Sequence, residues 1–156
     1  NDSYSGNKSL FINLKNNPEQ KLVVSSLFKL NDVSKTHVLE LLIKPDIASC
    51  SDSECGFYVE FELTNEAFYP FYSGAVIIDN NNAMASALLA DPNVVVTAVN
   101  YTDAENGWKK LRAEFLLNAT AGLDYGAIAL YQSPPDFTGT VLLDNITVYD
   151  VDSGAG

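Results

Sequence analysis

The sequence is poor in histidine, tryptophan, cysteine and basic residues. It has one histidine, one tryptophan and two cysteines, and it has 9 basic residues against 20 acidic ones. The resulting net charge of −11 would be repelled by a phosphate backbone, which argues against nucleic acid and anionic membrane surfaces as partners. Long apolar runs are also missing, which argues against membrane insertion. A neutral ligand, or one that arrives with a cation, is compatible with this composition.

Motifs for catalysis are equally scarce. The sequence contains no GxSxG motif and no phosphate-binding glycine loop, and His37 has no cysteine set beside it. Glu60, Glu62 and Glu114 could in principle supply the paired carboxylates of a glycosidase. Glu60 and Glu62 would lie roughly 7 Å apart on one strand, a separation that a solvated strand face also produces. We therefore expect that the protein is not an enzyme.

Cys50 and Cys55 are separated by four residues. This spacing suits a small loop closed by a disulfide. It does not suit a zinc site, because there is one histidine and no second cysteine pair. The pattern favours a disulfide over free thiols, and hence a secreted or cell-surface protein whose mature form or excised domain lacks a signal peptide. Asn-X-Ser/Thr sequons point the same way. They occur at Asn1, Asn7, Asn100, Asn118 and Asn145.

What the sequence has in quantity is short β-type segments separated by turn residues. Gly56–Thr64 and Trp108–Asn118 alternate apolar with polar or aromatic residues, which predicts strands with one face on a core and one in water. Other strands are predicted at 9–15, 21–30, 37–44, 74–79, 94–100, 126–132 and 139–150, and the only helix candidate is 80–90.

So many short strands, with at most one short helix, predict an all-β fold. The most economical arrangement is a two-sheet antiparallel β-sandwich of the jelly-roll type. Residues 1–151 would form this single domain, and residues 152–156 would be a linker or tail.

Four segments resemble the jelly-roll carbohydrate-binding modules that are appended to extracellular polysaccharide-degrading enzymes. Tyr4–Leu10 is similar to their "SGxxSL" segment, and Asn106–Leu111 is similar to the "GW" start of a later strand. Gly139–Tyr149 looks like their closing strand, which contains an Asp-Asn pair, and Leu41–Lys44 looks like the end of a long strand. The resemblance implies non-catalytic binding of a polysaccharide or glycan by a module of a larger multidomain protein.

The resemblance also implies a structural Ca²⁺. The matching acid of the closing strand is Asp144, which in this family binds calcium with backbone carbonyls near the "SGxxSL" segment. Asp144 alternates in phase with Leu142 and Ile146, which predicts that it points inward. The alternative is a surface aspartate without a metal. The other expected ligands are Asp2, Ser5 and Lys8.

Glycan binding would require aromatic platforms beside hydrogen-bonding groups. On the outward strand faces, the expected ligand contacts are Tyr58, Glu60, Glu62, Trp108, Arg112, Glu114 and Tyr131. The aromatic segment 68–74 adds Tyr69 and Tyr72, which we expect to be exposed while most of its other aromatics are buried. In the alternative interpretation these side chains form the polar surface of a structural or adhesive extracellular domain that contacts proteins or acts as a spacer. A glycan binder should place Tyr58, Tyr131 or Tyr72 in a groove beside Arg112 and the carboxylates, whereas a spacer should show a flat, scattered polar surface.

Overall fold

The computed structural model describes residues 10–14, 21–48, 56–133 and 138–151. These residues form strands β1 Leu10–Leu14, β2 Lys21–Val24, β3 Phe28–Lys29, β4 Thr36–Ile47, β5 Gly56–Thr64, β6 Tyr72–Ile78, β7 Ala83–Ala85, β8 Val94–Asp103, β9 Lys109–Leu117, β10 Tyr125–Ser133 and β11 Gly139–Val151. Short 3₁₀ helices occur at Glu105–Gly107 and Ala119–Ala121. Within the described ranges, no helix is long and apolar enough to cross a membrane.

The strands form two antiparallel sheets. Sheet A has the order β1-β11-β4-β9-β8, and sheet B has the order β2-β10-β5-β6-β7, with β3 also pairing with β10. The chain crosses from one sheet to the other after β1, β3, β4, β7, β9 and β10, and the final strand β11 returns to lie beside β1. This is the strand order of a jelly roll. The predicted fold class, an all-β sandwich of two antiparallel sheets, is confirmed.

The hydrophobic core lies between the sheets. Phe57, Val59, Phe61 and Leu63 of β5 face it, as their alternation predicts. Phe61 connects the two layers, because its ring centroid lies 5.3 Å from Phe115 of β9, in the opposite sheet. This ring is fully buried and also contacts His37 of β4, with the centroids 5.9 Å apart.

The helix predicted at 80–90 is wrong. The carboxylate of Asp79 accepts hydrogen bonds from the backbone N–H groups of Asn81 and Asn82, at 2.8 and 2.7 Å. The side chain of Asn80 both accepts from and donates to the backbone of Ile47, at 2.8 Å in each case. These bonds hold a tight turn between β6 and β7, since aspartate and asparagine readily bond to nearby backbone. A hairpin therefore replaces the helix that the alanine, methionine and leucine content indicated.

Two predicted strand limits are also wrong. The third strand was expected to stop before Pro45, but β4 continues through it, and Pro45 pairs with Val141. Pairing of β4 with β9 ends at Ile43, so on that side Pro45 lies at a strand edge, where its missing N–H costs little. The strand predicted at 21–30 is interrupted, and residues 25–27 separate β2 from β3.

Candidate functional site

The outer face of β5 carries three of the expected ligand contacts, and it is covered. Tyr58, Glu60 and Glu62 point away from the main core, yet every residue of β5 is buried. Tyr58 packs edge-to-face against Tyr131, with ring centroids 5.6 Å apart, and Leu89 packs on the same small cluster. The expectation that this face lies in water is wrong, because alternation shows where side chains point but not what covers them. A role of these residues in ligand binding stays a prediction.

The outer face of sheet A carries Arg112 and Glu114. The Arg112 Nη1 donates a hydrogen bond of 2.6 Å to the Glu114 carboxylate, and its Nε lies 3.8 Å from a carboxylate oxygen of Glu40. Lys110 lies 3.6 Å from the same oxygen of Glu40. The hydrogen bond to Glu114 raises the pKa of Arg112, because it stabilises the charged guanidinium. These side chains form a row in which positive and negative charges alternate.

The expected site residues therefore divide between two surfaces. Arg112 and Glu114 belong to sheet A, whereas Tyr58 and Tyr131 belong to sheet B, on the other side of the core. The expectation that the tyrosines share a groove with Arg112 is wrong. Alternation identified the core-facing residues of β5 and β9 correctly, but it contains no information about which sheet a strand joins.

Trp108 and Tyr72 are also placed differently from the expectation. Trp108 is buried before the start of β9, where its N–H donates to the Glu105 carbonyl at 3.1 Å and closes the 3₁₀ helix. Tyr72 is half-buried and packs against the main core, because it pairs with Leu63 and shares its face. Neither ring is an exposed platform.

Asp144 lies on the outer side of β11 rather than pointing inward. Val141 and Leu143 are the buried residues of this segment, and the Asp144 carboxylate accepts a hydrogen bond of 2.8 Å from the N–H of Asn145. At Asn145, φ is 52°, and the register of β11 against β4 shifts between Asp144 and Thr147. This is a β-bulge. The alternation of core-facing and outward-facing side chains along β11 is therefore reversed beyond it.

The calcium prediction is therefore only partly addressed. Among the described residues, no group of three or more histidine, cysteine, aspartate or glutamate side chains could hold a metal ion. The other expected ligands, Asp2, Ser5 and Lys8, lie outside the described residues, as do Cys50 and Cys55 of the expected disulfide. Asp144 alone does not make a calcium site. The calcium site and the disulfide both stay predictions.

The loop between β5 and β6 presents aromatic rings to solvent. Tyr69 is 79% exposed, in agreement with the expectation for this residue. Phe68 and Phe71 are 37% and 45% exposed, so the expectation that most aromatics of this segment are buried is wrong. Neighbouring exposed aromatic rings are characteristic of surfaces that bind a ligand or partner. We call residues 65–71 the aromatic loop.

The aromatic loop is held by the side chains of Asn65 and Thr64, and Asn65 makes three of the four bonds. The Asn65 Oδ1 accepts hydrogen bonds from the N–H groups of Ala67 and Tyr69, at 2.9 and 3.3 Å. Its Nδ2 donates to the Tyr69 carbonyl at 2.6 Å, and the Thr64 hydroxyl donates to the Pro70 carbonyl at 2.8 Å. These bonds fix the backbone on both sides of the Tyr69 ring.

Backbone conformation in the loop is also unusual. The Tyr69–Pro70 peptide is cis, and Phe68 has φ of 60°. A left-handed conformation is uncommon for a bulky residue, and such residues cluster at binding and active sites. The left-handed backbone of Phe68, next to Tyr69, is thus maintained against a local conformational preference.

Polar groups lie next to the aromatic loop. The Tyr125 hydroxyl donates a hydrogen bond of 2.8 Å to Glu66, which raises the pKa of Tyr125. Lys29 is ion-paired with Asp124, and its Nζ lies 4.9 Å from the centroid of the Tyr125 ring. The hydrogen bond to Asp124 raises the pKa of Lys29. An aromatic platform therefore stands beside hydrogen-bond donors and acceptors.

Sequence reasoning singled out the aromatic loop but missed these polar neighbours. They come from separate stretches that only the fold brings together: Tyr125 pairs with Lys29 on one side and with Thr64 on the other. The signal that could have found them is the pairing of β10 with both β3 and β5, which a single sequence does not reveal.

No protein-family model matches the chain, and no curated protein is significantly similar to it.

Proposed function

We propose that this protein is a non-catalytic module that binds a glycan, and that the aromatic loop is its main contact surface. The observation that carries the proposal is the presentation of Tyr69, a ring 79% exposed on a loop fixed by Asn65. The C–H groups of a pyranose ring match the face of an aromatic side chain. Tyr69 would stack on the sugar, with Phe68 and Phe71 as flanking rings.

The polar groups beside the loop favour a neutral glycan. Glu66 and the Tyr125 hydroxyl provide an acceptor and a donor for sugar hydroxyls, and Lys29 and Asp124 form a charge pair next to them. Their opposite charges largely cancel each other, while the net charge of −11 disfavours an acidic polysaccharide. A secreted location, inferred from the sequons and from the expected disulfide, would bring the module to extracellular glycans.

Native affinity electrophoresis in gels that contain neutral or acidic polysaccharides tests the proposal. We expect retardation by at least one neutral glycan and none by acidic ones. Each gel is run with calcium and with a chelator, which also tests the calcium prediction. Retardation should be lost in Tyr69→Ala and retained in Tyr149→Ala, a matched change of an exposed tyrosine in sheet A. Migration unaffected by every glycan would contradict the proposal.

A second proposal, from another class, is a structural or adhesive domain that contacts proteins. The observation that favours it is the row of alternating charges around Arg112, Glu40 and Glu114, in which the ionic groups are already paired with each other. Such a surface suits a spacer or a complementary protein surface better than it suits a sugar. If this proposal holds, Arg112→Ala should weaken capture of the protein partner, whereas Tyr69→Ala should not.

A further inference from the structure

A groove of about 570 Å³ opens between the two sheets, on the side of the sandwich where β3 and β11 lie. Sheet B lines it with Phe28 and with Ile128 and Leu130, which are core residues only 6% and 2% exposed. The groove therefore reaches into the hydrophobic interior. Its volume falls within the range of roughly 300–1,000 Å³ that is typical of small-molecule sites.

On the sheet A side, the wall is formed by Ile146 and Val148 of β11 and by Leu10 at the start of β1. Ile146 and Leu10 are 40% and 38% exposed, so they lie at the rim rather than at the base. Among the described lining residues, these three and Phe28, Ile128 and Leu130 thus form an apolar surface on both walls. An apolar cavity of this kind does not retain water well, and it favours an apolar occupant.

The groove results from irregularities in both sheets. In sheet B, Ser25 continues the pairing with β10, since its N–H donates to the Ile128 carbonyl and its Oγ accepts from the Ile128 N–H, both at 2.8 Å. Ser26 and Leu27 then leave the edge before β3 begins. In sheet A, the described pairing of β1 with β11 runs from Leu14 and Gly139 to Leu10 and Leu143, just before the bulge. Within the described residues, the regular pairing of β2 and that of β1 thus end beside the groove.

Among the described lining residues, three carry polar side-chain groups. Ser25, Ser26 and Lys29 are all exposed. The Ser25 hydroxyl already accepts from Ile128 and donates to the Ser26 carbonyl at 3.0 Å. Lys29 is held by Asp124, outside the apolar walls. This distribution fits a ligand with a long apolar part and a polar end that remains near solvent.

We propose that the groove binds the alkyl or acyl chain of an amphiphile with an uncharged head group. Lys29 and Asp124 form an ion pair, so their opposite charges largely cancel and do not select an ionic head, and the net charge of −11 additionally disfavours an anionic one. A neutral, hydroxyl-rich head can hydrogen-bond to both of these side chains. This site adjoins the aromatic loop at the Lys29–Asp124 pair, but its apolar lining is separate from the loop, and the inference does not depend on glycan binding there.

Isothermal titration calorimetry with hexyl, octyl and decyl maltoside, below their micelle concentrations, tests the proposal. Affinity should rise about three- to fourfold for each added methylene, the increase expected for burial of that group. The heat-capacity change of binding should be negative. Decyl sulfate and decyltrimethylammonium, which have the same chain, should bind more weakly than decyl maltoside. Affinity that does not depend on chain length would overturn the proposal.

Substitutions in the groove test where the alkyl chain of the ligand binds. Ser26→Trp should fill the groove, Ile146→Gln should place an amide in its wall, and each should lower decyl maltoside affinity about tenfold or more. Thr102→Trp is the matched control, since Thr102 is exposed on β8 at the far edge of sheet A, and it should bind as the unmodified protein does. Circular dichroism and thermal unfolding verify that each variant is folded. Unchanged affinity in both folded groove variants would refute the site.

Two further measurements separate this proposal from others. Sedimentation of the protein without ligand should show a monomer; a dimer that Ser26→Trp dissociates would mean that a second copy occupies the groove, and would overturn the proposal. Ser26→Trp should leave polysaccharide retardation unchanged, and Tyr69→Ala should leave decyl maltoside affinity unchanged. If each variant abolished both activities, the two sites would not be distinct and the inference would fail.

Discussion

Among single residues, Asn65 has the largest influence on the proposed binding surface. Its amide accepts two backbone hydrogen bonds and donates a third, all within the aromatic loop. The loop side chains themselves are largely exposed, so they gain little from burial. The conformation that presents Tyr69 therefore depends on this one side chain more than on packing.

Asn65→Ala should lower the free energy of unfolding by about 1–2 kcal/mol, because it removes all three bonds. Asn65→Asp is the matched control, since it keeps the acceptor for Ala67 and Tyr69 and loses only the donor. It should lie between the alanine variant and the unmodified protein in urea unfolding. If Ala and Asp destabilise equally, the two accepted bonds do not hold the loop.

His37 should make stability sensitive to mildly acidic pH. It is buried, which favours the neutral imidazole, and its Nδ1 donates a hydrogen bond of 3.0 Å to the Lys35 carbonyl, a bond that both protonation states can make. Burial lowers its pKa below the ordinary value of 6.5. The stability that this provides is present above the unfolded pKa, and it is lost as the pH falls toward the folded pKa.

Urea unfolding between pH 7.5 and pH 5.5 tests this effect, in a range where carboxylates titrate little. The free energy of unfolding should fall below about pH 6.5 by at most about 1.4 kcal/mol per pH unit. His37→Gln removes the only histidine and should flatten the dependence. An equally steep dependence in that variant would assign the effect to other groups.

Among the strands, β11 was predicted correctly as a strand, but the orientation of its residues was predicted only in part. Its β-branched and apolar content predicts a long closing strand, and it does pair along β4 and β1. The sequence pattern placed Asp144 on the inner face, but Val141 and Leu143 occupy that face. A bulge changes the phase of all residues beyond it, and a left-handed Asn145 is not visible in a hydrophobic pattern.

The bulge can be tested at Asn145. Asn145→Gly should leave stability unchanged or slightly higher, because glycine adopts the observed φ of 52° without strain. Asn145→Val should cost about 1–2 kcal/mol, since a β-branched residue resists the left-handed region. Chemical denaturation of the two variants measures the difference. Equal stabilities would show that residue 145 does not need a left-handed conformation.

For the molecule as a whole, local patterns predicted the sandwich but not the layout of its surfaces. Alternation in β5 and β9 identified the core-facing residues Phe61 and Phe115. It could not show that these strands belong to opposite sheets, or that the outer face of β5 is covered. Those properties depend on contacts between distant parts of the chain, which a single sequence does not contain.

Substitutions of two phenylalanines compare how much the core and the aromatic loop contribute to the free energy of unfolding. Phe61→Ala should lower the free energy of unfolding by about 3–5 kcal/mol, because it opens a cavity between rings from both sheets. Phe71→Ala, in the aromatic loop, should cost much less, since that ring is 45% exposed. Differential scanning calorimetry gives both values. A large loss in Phe71→Ala would mean that this ring serves the fold rather than a ligand.

Glycan affinity of Tyr69 variants is the decisive measurement. The dissociation constant for the best-retained neutral glycan is compared among the unmodified protein, Tyr69→Phe and Tyr69→Ala. Stacking requires the ring and not the hydroxyl, so Tyr69→Phe should bind within about threefold of the unmodified protein, and Tyr69→Ala should lose tenfold or more, about 1.4 kcal/mol. Full affinity in a folded Tyr69→Ala would contradict glycan binding by the aromatic loop.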